Sequence, residues 1–250
     1  MSQSPVDLSL IIACYNEADY LAENVKQIRR TLDQCRWRYE LIFIDDCSSD
    51  GTREIITQIT EGCDDCRVVF HETNAGRGRT VAEGIRMAGG TVAGFVDIDL
   101  EVHCRYVPSM VSAILDDGYD VATGRRVYLV QPTPTGILRL ILSKGYRLVA
   151  RRILRSPFED TETGFKFFRK DRILPVLDEC RDGHWFWDTE VMLESRRAGL
   201  KIIEIPALFR RQSSRGSSLR VFSDTIYYMK AMRRYRRGKR VQSAGDGHDE

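Results

Sequence analysis

The sequence predicts an α/β fold in which a mostly parallel sheet is covered by helices, and three observations lead there. Short apolar runs alternate with segments of helical periodicity from Leu8 to Asp97. Each run ends in a polar turn, and the polar clusters therefore gather where open parallel sheets bind ligands, at the carboxyl ends of the strands. With 250 residues, 42% of them hydrophobic and 30% charged, the chain can bury a full core and reads as soluble and globular.

The elements follow in order. Leu8 to Ala13 is a first strand, and Tyr15-Asn16-Glu17 opens a helix carrying Leu21, Val25, Ile28 and Leu32 on one face. Tyr39 to Ile44 is a second strand, closed by Asp45-Asp46-Cys47-Ser48-Ser49-Asp50-Gly51-Thr52, and Arg53 to Thr60 returns to helix. Arg67 to His71 is a third strand, after which Asn74-Ala75-Gly76-Arg77-Gly78 turns into a helix ending near Gly89-Gly90. Thr91 to Asp97 is the fourth. The second half is less regular. A strand from Tyr119 to Thr123 precedes Gly124-Arg125-Arg126, a basic amphipathic stretch runs from Ile137 to Leu154, and Asp160 to Phe168 follows. Trp185 to Glu190 leads into a helix through Met192 and Leu193, and Lys201 to Ile205 is a further strand before Pro206. No internal repeat is visible. The tail from Gln242 to Glu250 is small, polar and expected to be disordered.

The net charge of +2 says little as a total, but its distribution is informative. Gly136 to Phe158 holds six Arg or Lys and no acid, and Leu219 to Arg240 holds eight bases against Asp224. The seven cysteines are an odd, scattered set with no basic leader ahead of them, so a reducing cytoplasm is expected. Cys63-Asp64-Asp65-Cys66 has metal-knuckle spacing without a second pair, which favours a surface loop over zinc. No apolar run is long enough to span a bilayer.

Asp97-Ile98-Asp99-Leu100-Glu101 concentrates the most chemistry. Were the strand to continue, all three carboxylates would share one face. Crowded hard oxygens call for a cation such as Mg²⁺ or Mn²⁺, with a bound diphosphate completing the shell. The competing reading is an acidic turn that caps the next helix. Gly76-Arg77-Gly78 superficially suggests a dinucleotide loop, but it follows the third strand rather than the first, and position 81 is Val81, which argues against a Rossmann dehydrogenase.

Seven motifs in order, Ala13-Cys14-Tyr15-Asn16-Glu17, Asp45 to Thr52, Asn74 to Gly78, Asp97-Ile98-Asp99, Gly124-Arg125-Arg126, Thr163-Gly164-Phe165-Lys166 and Asp188-Thr189-Glu190, resemble those of family 2 glycosyltransferases of GT-A fold. Within the family the chain is most similar to the dolichyl-phosphate mannose and glucose synthases, over about residues 6 to 220. Ala13 stands where relatives usually have Pro, and Glu101 where they often have Gln. The resemblance implies a GT-A fold with basic amphipathic helices toward the C-terminus: a catalytic domain over 1–215, a basic, membrane-surface segment over 216–241 and a disordered tail over 242–250.

It also implies roles. Ala13, Tyr15, Glu17 and Asp46 would border the nucleotide, with Asp45 the alternative to Asp46, and Asp50 would cap the helix near Thr52. The glycines beside Arg77 would let the backbone pass near the nucleotide, leaving Arg77 or Arg79 for phosphate. Asp97 and Asp99, optionally Glu101, would hold Mg²⁺ or Mn²⁺. Arg126, with Arg125 as rival, would grip the leaving diphosphate. Asp188 would be the base for a hydroxyl acceptor but only a positioning group for a phosphate acceptor, and Asp188 and Glu190 could also be helix caps.

The implied reaction is inverting transfer of a hexose from GDP-mannose or UDP-glucose to a polyprenyl or dolichyl phosphate. Gly164 to Phe168 and Arg210 to Arg220 would shape the acceptor side, with Ser213 to Ser218 as a candidate lid. The enzyme would be peripheral at the cytoplasmic membrane face, with a small membrane partner subunit conceivable. Ile137, Leu138, Leu140 and Ile141 beside Arg139 and Lys144, and Val221, Phe222, Ile226, Tyr227, Tyr228 and Met229 ahead of the basic end, suit interfacial helices or core-facing helices with solvated Arg faces. The alternatives are a glycosyltransferase acting on a soluble or glycan hydroxyl, and a non-catalytic nucleotide- or nucleic-acid-binding module. No nucleic-acid-binding signature accompanies the Arg and Tyr residues, so nucleic acid is not an expected partner.

Overall fold

The computed structural model describes residues 6–128, 152–210 and 227–237. The chain divides into two compact units, one formed by Met1–Leu129 with Asp160–Arg211 and the other by Val130–Glu159 with Gln212–Glu250. The first unit opens with β1 (Leu8–Cys14), α1 (Ala18–Leu32), β2 (Tyr39–Asp45), α2 (Thr52–Thr60), β3 (Cys66–Phe70), α3 (Arg77–Met87) and β4 (Val92–Val96). It continues with α4 (Val107–Leu115), β5 (Val121–Tyr128), β6 (Phe165–Arg169), α5 (Lys170–Glu179), α6 (Trp187–Arg197) and β7 (Ile202–Phe209).

The seven strands form one sheet in the order β3-β2-β1-β4-β6-β5-β7. β1 pairs in parallel with β2 and β4, β2 with β3, and β5 with β7, while β6 runs antiparallel between β4 and β5. The expected mostly parallel, helix-covered sheet is therefore the one observed. Continuous apolar strands are what burial on both faces requires. In β1, Leu10 and Ile12 pack with Leu41 and Phe43 of β2 against Leu21, Val25 and Ile28 of α1. Met110, Val111 and Ile114 of α4 join the same cluster. Each such buried side chain stabilises the fold by about 1.5–3 kcal/mol.

The first four strands and three helices lie where the periodicity places them to within a residue or two, and from the end of β4 onward the structure differs in four respects. β4 ends at Val96, so Asp97 to Glu101 form a turn, with Leu100 at φ 53, rather than one face of a strand. β5 runs on through Gly124, Arg125 and Arg126 instead of stopping at Thr123. β7 continues through Pro206; among the strands of the sheet it pairs with β5 and lies at the edge, where a residue without an N–H is tolerated. α4, β6 and α5 were not foreseen. The Pro175 inside α5 and the lysine inside β6 both disguise their elements.

In the second unit, residues 227–237 are helical, with Tyr228, Ala231 and Met232 buried and Lys230, Arg233, Arg234, Arg236 and Arg237 exposed. This is an amphipathic basic helix, and Tyr228 belongs to its buried face rather than to a membrane-facing one. The expected lid at Ser213 to Ser218, the acceptor segment beyond Arg210, most of the Ile137 to Leu154 stretch, the boundary near residue 215 and the tail lie outside the described residues. Among the described residues no helix is long and apolar enough to cross a membrane.

Candidate active site

The turns after β1 and β2 are stitched together. Asn16, at φ 57, donates its N–H to Ser48 Oγ at 2.9 Å and accepts from the Ser49 N–H at 2.9 Å through Oδ1. Asp50 Oδ1 accepts from the Thr52 N–H at 3.0 Å and hydroxyl at 2.5 Å, while Oδ2 accepts from the Ala18 N–H at 3.2 Å. One carboxylate thus serves the first turns of α1 and α2, the capping role expected of it. Burial works against its charge, but the Thr52 hydroxyl and the N–H groups of Ala18 and Thr52 prevail and lower its pKa. Ala13 lies in β1 opposite Ile44, the Glu17 N–H donates to Thr52 Oγ1, and Tyr15 projects 52% exposed.

Asp45 and Asp46 are both buried and both engaged within the protein. Asp45 Oδ2 accepts from Arg53 Nε at 2.6 Å and from the Ser48 N–H at 3.1 Å. Asp46 Oδ1 is 2.8 Å from His71 Nδ1 and accepts from the Ala75 N–H, while its Oδ2 accepts from the Gly76 N–H at 2.9 Å. His71 Nε2 in turn meets Glu83 Oε2 at 3.0 Å. Burial alone would lower the His71 pKa, but Asp46 and Glu83 outweigh it and raise it.

Through Gly76, Asp46 sets the start of α3. Gly76 has φ 95, and a Cβ there would lie 2.4 Å from His184 Nδ1; one on Gly78 would lie 2.4 Å from Trp187 Cβ. The glycines therefore serve close packing of α3 on residues 183–187, and Gly76 stands at the start of that helix.

From this helix start Arg77 reaches the carboxylate turn. Its Nη2 donates to Asp97 Oδ1 at 2.6 Å and its Nη1 to Asp188 Oδ2, while the guanidinium lies over the Phe95 and Trp185 rings at 5.3 and 5.6 Å. Burial opposes the charge of Arg77, and Asp188 and Asp97 overcome it and raise its pKa. Arg77 is thus committed to carboxylates in this structure.

Asp188 is 2% exposed, and its second oxygen accepts from Lys166 Nζ at 2.7 Å. Lys166 is itself fully buried in β6; burial lowers its pKa, with Arg77 adding to the effect and Asp188 resisting it. Neither Asp188 nor Glu190 caps α6, since both lie inside its first turn. Glu190 Oε2 instead accepts from the N–H groups of Arg181 at 3.0 Å and Asp182 at 2.7 Å, and burial nonetheless raises its pKa.

Asp97, Asp99, Glu101 and Arg126 line one cleft together with Val102, Glu162, Thr163, Gly164 and Phe209. The cleft therefore gathers four of the expected site residues, with Arg77 and Asp188 joined to it through Asp97. Arg126 is held by a two-pronged pair with Asp160, Nε to Oδ2 and Nη2 to Oδ1 both at 2.7 Å, and by Glu162 at 3.3 Å. Burial works against its charge, and Asp160 prevails and raises its pKa.

The side chain of Asp97 is 47% exposed, and Gly164 backs it so closely that a Cβ there would sit 1.8 Å from Asp97 Oδ2. Two aspartates and a glutamate on a polar cleft are the hard-oxygen set that suits Mg²⁺ or Mn²⁺. Their oxygens are not drawn into one cluster; among the described residues the group close enough for that is Cys63, Asp65 and Cys66.

Lys166 was expected only as part of the acceptor segment Gly164 to Phe168, and Asp160 and Trp185 were missed as site residues. The first had a signal: a lysine between phenylalanines in a strand must be buried and hence paired. Trp185, 59% exposed beside Arg77, had none.

Residues 9–174 match the family described as Glycosyl transferase family 2. The chain is 30% identical over 203 residues to Glycosyltransferase AglD of Haloferax volcanii, covering 80% of this chain and 32% of that protein, so it spans about a third of that relative. It is 27% identical over 254 residues to a dolichyl-phosphate beta-glucosyltransferase of Dictyostelium discoideum, covering 94% of this chain and 76% of the other. The protein of the same name from Saccharomyces cerevisiae is 24% identical over 238 residues, covering 88% and 71%. Among solved structures, glucosyl-3-phosphoglycerate synthase of Mycobacterium tuberculosis, in complex with Mn²⁺, UDP and glucosyl-3-phosphoglycerate, has a TM-score of 0.65 at 18% identity, covering 91% of this chain and 78% of that one. That likeness concerns the fold.

Proposed function

The chain belongs to glycosyl transferase family 2, and on that premise we propose that it transfers a hexose from a nucleotide sugar, GDP-mannose or UDP-glucose, to a polyprenyl or dolichyl phosphate at a membrane face. The observation that carries the reading is the cleft itself. Asp97, Asp99, Glu101 and Arg126 converge on it, and Asp97 is tied through Arg77 to the buried Asp188. Asp97 and Asp99, with Glu101 as a further ligand, would hold Mg²⁺ or Mn²⁺. Such an ion, when bound, neutralises charge on a departing diphosphate. Arg126, kept rigid by Asp160, adds a fixed positive charge on the same cleft. Tyr15, exposed next to Asn16, which bonds to Ser48 and Ser49, offers an aromatic face for the nucleotide base.

The attacking atom would be an oxygen of the lipid's phosphate. It forms a bond to the anomeric carbon as the bond to the diphosphate oxygen breaks, inverting that centre. A phosphate is already anionic near neutral pH, so no proton has to be taken from it. The setting of Asp188 supports this acceptor, because both its oxygens already accept from cations and it is out of solvent. Its role is then to hold Arg77 and Lys166 in place. Two relatives named dolichyl-phosphate beta-glucosyltransferase support a lipid phosphate and favour glucose. The exposed bases of the 227–237 helix support attraction to an anionic membrane face, consistent with a peripheral enzyme.

The test is a panel of nucleotide sugars offered with Mg²⁺ or Mn²⁺ and a polyprenyl phosphate, scored for lipid-linked sugar. Product from one donor, dependent on the lipid phosphate, is expected. Sugar transferred to a soluble hydroxyl acceptor, with none on lipid, would overturn the acceptor assignment.

A further inference from the structure

The turn before β3 holds a pair of thiols that the transfer reaction does not use. Cys63 and Cys66 lie in a turn closed by the Cys66 N–H donating to the Cys63 carbonyl at 3.4 Å, and their sulfurs are 3.0 Å apart. A turn of this kind brings its first and last Cα atoms within about 7 Å, which matches the span a disulfide bridges. The other five cysteines each have an oxygen atom as partner.

Around the pair the surroundings favour reaction at Cys63. Arg29, in the last turn of α1, donates from Nη2 to Cys63 Sγ at 2.8 Å and to Cys66 Sγ at 2.9 Å, and holds Asp65 in a two-pronged pair at 3.0 and 3.1 Å. Asp65 Oδ1 accepts from the Cys63 thiol at 2.9 Å, and the Cys66 thiol donates to Cys63 Sγ. Cys63 Sγ thus accepts from a guanidinium N–H and from the Cys66 thiol, while the Asp65 carboxylate lies against the same sulfur. Burial, with help from Cys63, pushes the Cys66 thiol up to about 12. The same two sulfurs and Asp65 could ligate a metal ion, but the Arg29 cation lies against all three groups and would have to leave.

We propose that Cys63 and Cys66 form a reversible disulfide by exchange with small-molecule disulfides, a modification site at the amino end of β3, away from the carboxyl-end cleft. The Cys63 thiolate attacks one sulfur of the small disulfide, forming a mixed disulfide and releasing one thiolate. Cys66 then gives its proton to solvent and attacks the Cys63 sulfur, releasing the second. The net change is two protein thiols and one small disulfide to one protein disulfide and two small thiols.

The full-length protein incubated in glutathione buffers of rising oxidised fraction, followed by differential alkylation and peptide mapping, tests this. The expected result is a Cys63–Cys66 disulfide reversed by reduced glutathione, formed severalfold more slowly in Arg29→Gln and absent in Cys66→Ser, which instead retains a glutathione adduct on Cys63. Cys63 and Cys66 remaining alkylatable while other cysteines oxidise would overturn the proposal. So would stoichiometric protection of the two thiols by Zn²⁺ alone without any disulfide in the oxidised buffers.

Discussion

Asp45 and Asp97 each stand at the carboxyl end of a parallel strand of the same sheet, yet their surroundings differ in kind. Asp45 is fully buried, and its Oδ2 is shared between Arg53 and the Ser48 N–H. The side chain of Asp97 is 47% exposed and opens, with Asp99 and Glu101, on a polar cleft. One carboxylate is enclosed by Arg53 of α2 and a backbone N–H of its own turn, while the other faces outward, restrained by a single arginine. Residue type and strand position are alike, so what separates the structural carboxylate from the one proposed to bind a ligand is where its counter-charge lies.

Substitutions should split along that line. Asp97→Ala is expected to lower kcat/KM by about a hundredfold or more, the scale of losing a charge-stabilising group in a transition state, with the urea midpoint nearly unchanged. Asp45→Ala should do the reverse. It removes the acceptor of Arg53 and of the Ser48 N–H and should lower the urea midpoint, while the folded fraction keeps its turnover. A stable Asp45→Ala with no activity would erase the distinction.

Gly164→Ala sharpens it further. The added Cβ would sit on Asp97 Oδ2, forcing that side chain to turn, so kcat should fall about tenfold. The apparent affinity for Mn²⁺ should fall with it, and circular dichroism should stay native. If kinetics are unaffected, the orientation of Asp97 is not what the cleft depends on.

The smallest expected effect lies at His71. Its pKa is raised in the folded state because Asp46 and Glu83 outweigh burial, so its stabilisation is fully present below its unfolded pKa and is lost as pH rises through the higher folded one. His71→Asn should therefore cost about 1 kcal/mol near pH 6 and less near pH 8.5, read from urea midpoints at both. An equal cost at both pH values would mean that the pair contributes no charge-dependent stability.

The same contrast explains what could be read from the chain. β1 to β4 and their helices were legible because buried parallel strands are unbroken apolar runs and their helices carry one apolar face each. The site turns were legible because loops concentrate Asp, Asn, Ser and Gly. What escaped was set by pairing across the fold. Lys166 looks wrong for a core strand until Asp188 is opposite it, and Arg126 reads as a turn residue until Asp160 shows why a strand can bury it. The three acidic side chains from Asp97 to Glu101 were expected on one strand face, but Leu100 at positive φ makes a turn that brings them to the same cleft by another route. Asp45 and Asp46 could not be told apart because both are buried and their partners, Arg53 and His71, lie in other elements.

The central claim is that the open carboxylates support metal-dependent transfer to a lipid phosphate. It is tested most directly by following sugar transfer from a labelled nucleotide sugar to polyprenyl phosphate as Mn²⁺ or Mg²⁺ is added back after chelation, in the wild type and in Asp97→Asn. Chelation should abolish lipid-linked product in the wild type, the metal should restore it, and no metal concentration should restore it in Asp97→Asn. Full turnover in chelator, or metal-restored turnover of Asp97→Asn at the wild-type level, would contradict it.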